Sequence, residues 1–320
     1  MPGSTRAFGT RKAALRTGRG RMAMQAAGLP IEQPVLGERA APSWRRRLWR
    51  LVRSQPLGVL SFFVLLAYVL VAVFAPYIAT ADPYAINAAA TYMRPGEHGL
   101  MGTDNYGRDL FSRVVYGTRI SVSVGFTTVL FAALIAAVVG GVSGFLGGKA
   151  DLLIQRFVDA FQAFPALILA IIVVAVRGTS LVNVIIALTL ASWPSSARVI
   201  RSQVLSLKES PFVEAARCLG APGSRILVRH LFPNVLPILL VLASASVASV
   251  IVAEATLSFL GLGVPQPTPS WGSILTGAER YAQRAPWIGV FPGLAITTAV
   301  FAANFLGDAV RDLLDPRLRH

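Results

Sequence analysis

The sequence predicts an all-α polytopic membrane protein with six transmembrane helices and both termini in the cytoplasm. Three observations lead there. Of the 320 residues, 54% are hydrophobic and only 14% charged, whereas a soluble domain is about a quarter charged. Long apolar runs recur along the chain, separated by short polar segments. Lys and Arg are concentrated on one set of alternating segments, which fixes an orientation by the positive-inside rule.

The elements follow in order. Residues 1–43 are rich in Arg, Ala and Gly without a sustained period, and read as a flexible basic cytoplasmic tail. From Trp44 the pattern WRRRLWRLVR is a short basic amphipathic stretch suited to an anionic membrane surface. Leu57 to Ile78 is the first span. At 1.5 Å per residue its length of about 33 Å matches a hydrocarbon core of about 30 Å. It is too long for a signal-peptide core and reads as an uncleaved anchor. The segment 44–118 therefore holds the amphipathic stretch, the first span and a polar external region. A transmembrane domain over 119–308 follows, with spans expected at 119–146, 154–176, 180–203, 235–261 and 287–308. The third and fourth spans form a tight hairpin around RGTS (177–180). Residues 309–320 close the chain as a cytoplasmic tail.

With the N-terminus inside, 23 of the 30 Lys and Arg fall on inner segments and 7 on outer ones. The net charge of +15 is thus accounted for by the lipid bilayer. Nucleic acid is not an expected partner, because no aromatic-interleaved basic patch accompanies the charge. The single cysteine, Cys218, allows no intrachain disulfide. His98, His230 and His320 are far apart, so no metal site is expected.

One inner segment, 206–234, is too well punctuated for a plain loop. Ser210 suits a helix N-cap and Pro211 the first helical position. Phe212, Ala215, Ala216 and Leu219 fall at i, i+3, i+4 and i+7, an apolar stripe. Glu214 and Arg217 lie three apart on the other side, where they can pair. Gly220 stops the helix. Pro222 opens a second short helix, Pro233 ends it, and Asn234 can cap the next span. Pattern alone leaves two readings: a loop folded onto its own membrane domain, or a helix whose stripe inserts into a partner's groove.

The motif itself is more specific. Glu214-Ala215-Ala216, Gly220, then His230, Pro233 and Asn234 resemble the cytoplasmic EAA loop of ABC importer permeases. LMGTDNYGRDLFSRVVYGTRISVSVG (100–125), AEATLSFLGLGVPQPTPSWG (253–272) and FAPYIATADPY (74–84) resemble the C-type permease subunit of the binding-protein-dependent dipeptide, oligopeptide and nickel importers. The resemblance spans about 44–318. It implies a type I ABC importer transmembrane domain in a bacterial or archaeal cell membrane. It implies that residues 211–221 couple to an ATPase through Phe212, Glu214, Ala215, Ala216, Leu219 and Gly220. It also implies the partners: a second permease subunit forming a heterodimer, two ABC ATPase subunits and an extracytoplasmic substrate-binding protein. ATP and Mg would sit in the ATPases. Dipeptides, longer peptides, nickel and some sugars are the cargoes handled by such systems, and peptides are the expected one.

The sequence contains other suggestive motifs. SGFLGGKA (143–150) approaches a phosphate-binding loop, but Ser143 replaces the first Gly and Ala150 the Mg-binding hydroxyl. Its Gly140, Gly144 and Gly148 recur every four residues, as close helix packing in lipid requires. The external GTDNYGRD (102–109) lacks the oxygen ligands of a calcium loop at alternate positions, since Tyr106 and Arg108 stand there. It is either a locally paired turn or a surface for the binding protein. Glu254 lies inside the fifth span, where a carboxylate rarely faces lipid. It either lines the translocation path or pins two helices together. Asn183, Asn304 and Asp159 are weaker candidates for path or interhelical contacts. A stand-alone secondary transporter would use inverted repeats, broken helices and ionisable coupling sites at mid-membrane, and the punctuated central loop and single carboxylate deep within the spans argue against it. An intramembrane enzyme would need a Ser/His, paired-Asp or H-E-x-x-H arrangement, which the spans lack.

Overall fold

A computed structural model describes residues 55–314 of the chain. The expected tail at 1–43, the amphipathic stretch from Trp44 and the end of the C-terminal tail lie outside the described residues. Within them the regular structure is helical, apart from one isolated bridge between Thr103 and Asp109.

Helix α1 (Pro56–Ile78) starts on a proline, whose missing N–H costs nothing at that position. Ser61, Leu65 and Ala75 turn inward, while Leu57, Phe62, Phe63 and Val73 are left exposed. That is the distribution of a helix with one face to its bundle and the rest to lipid. Tyr68 ties it inward: its hydroxyl donates to the Ala295 carbonyl at 3.2 Å, and its ring meets Trp271 edge-on with centroids 5.2 Å apart.

Helix α2 (Leu110–Leu146) has 37 residues, starting nine before the span expected at 119. Asp109 sets the start, its carboxylate accepting from the Ser112 N–H at 2.8 Å. The extra turns carry Arg113, a buried guanidinium. At about 55 Å the helix exceeds any bilayer core.

The third expected span, 154–176, is not one helix. Helices α3 (Gly148–Gln162) and α4 (Ala166–Arg177) meet at 83°. Pro165 is the cause: it has no N–H to donate and pushes the residue before it out of the helical region. With 12 residues, α4 spans only about 18 Å, short of the core on its own. The hairpin after it is as expected: Gly178 takes a left-handed φ of 84° and Ser180 caps α5 (Leu181–Leu207).

Among the described residues four helices are long and apolar enough to cross a membrane: α1, α2, α7 (Gly223–Phe259) and α9 (Trp287–Leu314). The bent pair α3–α4 makes a fifth if counted as one span. Helix α5 falls outside that set because Ser192, Pro194, Ser195, Ser196 and Arg198 dilute its second half. It is held instead by packing on α2. A Cβ on Gly140 would collide with the Ala197 carbonyl, and one on Gly144 would lie 2.8 Å from the Arg201 carbonyl oxygen. Gly148, expected as the third member of this stripe, faces open space. With Gly147 it forms the positive-φ turn that starts α3.

Between α5 and α7 stands the short α6 (Pro211–Cys218). Pro233 does not end a second helix as expected. The chain runs continuously from Gly223 to Phe259 because Ile226–Leu231 widens into a π-helical turn. Longer-range bonding there loosens the demand for a donor at each position. Asn234 is accordingly no cap: its amide points back and donates to the His230 carbonyl at 2.7 Å. The short α8 (Trp271–Leu275) carries a reciprocal cap between Ser270 and Ser273 and buries Trp271 against α1 and α2.

Candidate functional site

The segment 206–234 builds the site from the residues upward. Helix α6 begins at Pro211, but Ser210 does not cap it through its side chain. The hydroxyl turns back to the Leu207 carbonyl instead, and the backbone of Ser210 alone opens the helix. The other end forms as expected. Gly220 has a φ of 78°, its N–H reaches the Arg217 carbonyl at 2.9 Å, and the Ala221 N–H reaches Ala216 at 3.0 Å. This pair of bonds satisfies the last carbonyls and halts the helix.

The stripe divides in a way that periodicity alone did not show. Val213 and Ala216 are buried, in a cluster with Ile200, Val204, Ile226 and Leu231. Phe212, Ala215 and Leu219 stay exposed, Leu219 at 87% of its full accessibility. One side of α6 is therefore anchored to α5 and α7, and an apolar remainder projects outward. Val213 was missed because it sits between the stripe positions. Glu214 and Arg217 form no ion pair among the described residues. Both remain exposed beside the free apolar groups, as does Cys218.

Behind α6 lies a polar brace that the sequence reading missed. Arg201 of α5 donates to both carboxylate oxygens of Asp151 on α3, at 2.6 and 2.5 Å. Ser143 of α2 donates to the same carboxylate at 2.5 Å, and Gln155 to Ser143 at 2.8 Å. Three helices thus meet on one carboxylate. Two arginines sit near the end of α5, and only spatial pairing distinguishes Arg201 from Arg198. The latter pairs with Asp159 at 2.9 Å on the surface.

The remaining candidates are scattered. Glu254 is fully buried on α7, accepting from Ser121 of α2 at 2.9 Å and from Ser258 at 2.7 Å. Ser121 in turn accepts from the Trp271 N–H at 3.3 Å. Asn183 holds the α4–α5 turn, its amide donating to the carbonyls of Arg177 and Gly178, both at 2.9 Å. Asn304 is exposed on α9. At the other end of the bundle from α6, GTDNYGRD is a tightly bonded turn. Asp104 accepts from the backbone of Tyr106 and Arg108 and pairs with the Arg108 guanidinium at 2.7 Å. Gly107 is required there, since any Cβ would strike the Asn87 carbonyl.

The family model for the binding-protein-dependent transport system inner membrane component matches residues 130–320, more than half of the chain. The chain belongs to this family. A second model, the N-terminal transmembrane domain of oligopeptide transport permease C, matches residues 43–95 of the permease. Relatives agree over nearly the whole length. A peptide transport system permease protein of Brucella suis is 44% identical over 90% of this chain and 96% of its own. A dipeptide transport system permease protein of Alkalihalophilus pseudofirmus is 36% identical over 91% and 95%. An oligopeptide transport system permease protein of Bacillus subtilis is 36% identical over 89% and 93%. Among solved structures, a chain of the MetNI methionine ABC transporter in an inward-facing conformation matches with a TM-score of 0.53 and 20% identity. It covers 64% of this permease and 98% of that chain, a likeness of fold.

Proposed function

We propose that this permease forms half of the translocation pathway of an ATP-driven importer of peptides. The observation that carries the reading is α6. A short helix, pinned on one side and stopped by Gly220, presents Phe212, Ala215 and Leu219 together with Glu214 to the surroundings. Such a surface suits insertion into a partner's groove. The peptide cargo rests on the relatives, whose names are those of peptide, dipeptide and oligopeptide permeases. Nickel or another small solute moved by the same machinery is the second reading.

The partners in this proposal are a second permease completing a heterodimer, two ATPase subunits that hold ATP and Mg, and an extracytoplasmic binding protein. The chain itself has no intact phosphate-binding loop. In this proposal the chain crosses six times, with α3–α4 as a bent crossing and α5 as a sheltered one, and the Lys/Arg asymmetry favours cytoplasmic termini. ATP binding biases an inward- to outward-facing equilibrium by acting on α6, and the brace at Asp151 passes that movement to α2, α3 and α5. Of the path candidates, Asn304 is exposed, while Glu254 and Asn183 act mainly as helix and turn fasteners.

The test is co-purification of the ATPases with Glu214→Lys and Leu219→Asp. Both variants should insert normally yet retain at least about tenfold less ATPase, because each places charge in the docking surface. Full retention by both would remove the basis for the assignment.

A further inference from the structure

The end of the bundle remote from α6 contains a cavity of about 340 Å³ that none of the foregoing explains. Its size falls at the lower end of the range for small-molecule sites, about 300–1,000 Å³. Ile86, Ile274 and Ile288 supply apolar wall, and Arg108, Arg113 and Gln266 the polar part, with Asp104 between the arginines. This composition, mostly apolar with a few convergent polar groups, is that of a ligand pocket.

The charges in the wall do not balance. Asp104 is the single carboxylate there against two guanidinium groups. Arg108 reaches it at 2.7 Å and Arg113 at 3.4 Å. The nearby Asp109 is committed elsewhere, accepting from Ser112 and Thr80 at the start of α2. Arg113 is 1% exposed, its Nη1 donates to the Pro83 carbonyl at 3.1 Å, and its Nη2 has no hydrogen-bond partner among the described residues. A buried positive charge without full compensation favours an anion in the adjoining space, since screening by water is weak there. Arg108 is the group placed to receive it. Its Nε is held by Asp104 and its Nη1 touches Gln266 at only 3.4 Å, a weak contact that a carboxylate would outcompete.

We infer that this cavity binds the free carboxylate of an amino-acid- or dipeptide-sized ligand, with Arg108 making the contact and Arg113 supplying the uncompensated charge behind it. The identity of the ligand as transported peptide rests on the peptide reading above. The cavity has room for a whole small molecule rather than for one acidic side chain, which favours cargo over a carboxylate on the binding protein.

The experiment uses the assembled complex of this permease with its partner permease and ATPases in nanodiscs, without binding protein. Radiolabelled dialanine is titrated, with dialanine amide and acetate as competitors. Expected are saturable binding of dialanine, competition by acetate, and competition by the amide that is weaker by about tenfold or more. Arg108→Gln should weaken dialanine binding by a similar factor, and Arg108→Lys should recover part of it. Arg113→Gln risks misfolding, so it is read only if the complex still assembles. Equal competition by dialanine and its amide would overturn the inference. So would unchanged binding in Arg108→Gln, or a requirement for Arg108 seen only with the binding protein. ATP-driven uptake of dialanine in proteoliposomes supplied with binding protein separates the two readings. Uptake without cavity binding refutes the cavity alone, and cavity binding without uptake refutes the peptide-import reading.

Discussion

Gly144 and Gly293 make opposite demands on the same residue type. Gly144 lies where α2 crosses α5, and a Cβ there would sit 2.8 Å from the Arg201 carbonyl oxygen and 3.0 Å from Val204 Cβ. Backbone cannot yield as a side-chain tip can, so Gly144→Val should destabilise by about 1–3 kcal/mol through overpacking. A Cβ on Gly293, in α9, would meet no neighbouring element within 4 Å among the described residues, and the backbone there is ordinary helix. Gly293→Ala should be neutral or gain about 0.5–1 kcal/mol from reduced unfolded-state freedom. Thermal unfolding of the two variants in detergent checks both, and a Gly293→Ala loss as large as that of Gly144→Val would refute the packing account. Glu254 poses the same kind of question for a polar group. Glu254→Leu leaves Ser121 and Ser258 without their acceptor in the interior, a loss of about 1–3 kcal/mol. Glu254→Gln keeps one carbonyl oxygen and should lose less. The order of the two unfolding temperatures is the readout, and a reversed order would show that the carboxylate does not act as the pin between α2 and α7.

Helix α6 and the brace behind it act as a unit of elements rather than of residues. Removing one partner of the Asp151–Arg201 pair leaves the other charge partly buried, since Asp151 is 11% exposed and Arg201 28%. Breaking a wholly buried pair costs about 3–5 kcal/mol, and partial exposure lowers this toward about 1–3 kcal/mol. Asp151→Ala should accordingly lower stability while leaving α6 presented as before, so the ATPases remain bound. What should fall is coupling, read as substrate uptake per ATP hydrolysed. In the double variant Asp151→Ala/Arg201→Ala, part of the stability should return because no lone charge is left. Equal losses summing in the double variant would mean that the two side chains do not interact. At this scale the sequence was informative about α6 itself. Pro211, the apolar spacing and Gly220 place its ends within a residue. It was silent on the brace, because Asp151 and Arg201 are 50 positions apart and meet only when α2 and α5 pack through Gly140 and Gly144.

The described residues form an α-helical bundle with α6 toward one end and the cavity beside Arg108 toward the other, the two ends to which the proposals above assign roles. The orientation expected from the charge asymmetry makes a definite prediction. Cys218, the sole cysteine, is exposed on α6. A membrane-impermeant thiol reagent should label it in inside-out vesicles and not in intact cells, and bound ATPase should reduce the labelling several-fold. Labelling of intact cells would invert the topology and with it the assignment of α6 as the ATPase contact. The six-span reading illustrates how apolar length and crossing differ. Residues 154–176 are apolar enough to suggest one helix, yet Pro165 bends the chain by 83°. Residues 181–207 are too polar to stand alone in lipid, yet they are sheltered against α2.

By itself the sequence determined the class of this protein. Apolar run length, charge asymmetry and the spaced Glu214, Gly220 and Asn234 motif are local or near-local signals, and they carry the membrane nature, the expected orientation and the segment proposed to couple to the ATPase. Tertiary structure alone decided which half of the α6 stripe is free, that Gly140 and Gly144 but not Gly148 form the α2–α5 contact, and that Pro233 continues a helix through a π turn. It also brought Arg108 and Arg113 together with Gln266, more than 150 residues away, around one cavity. The physical reason is the same in each case. Helix propensity and hydropathy act along the chain, whereas burial and charge compensation depend on which surfaces meet, and that is set only when the helices pack.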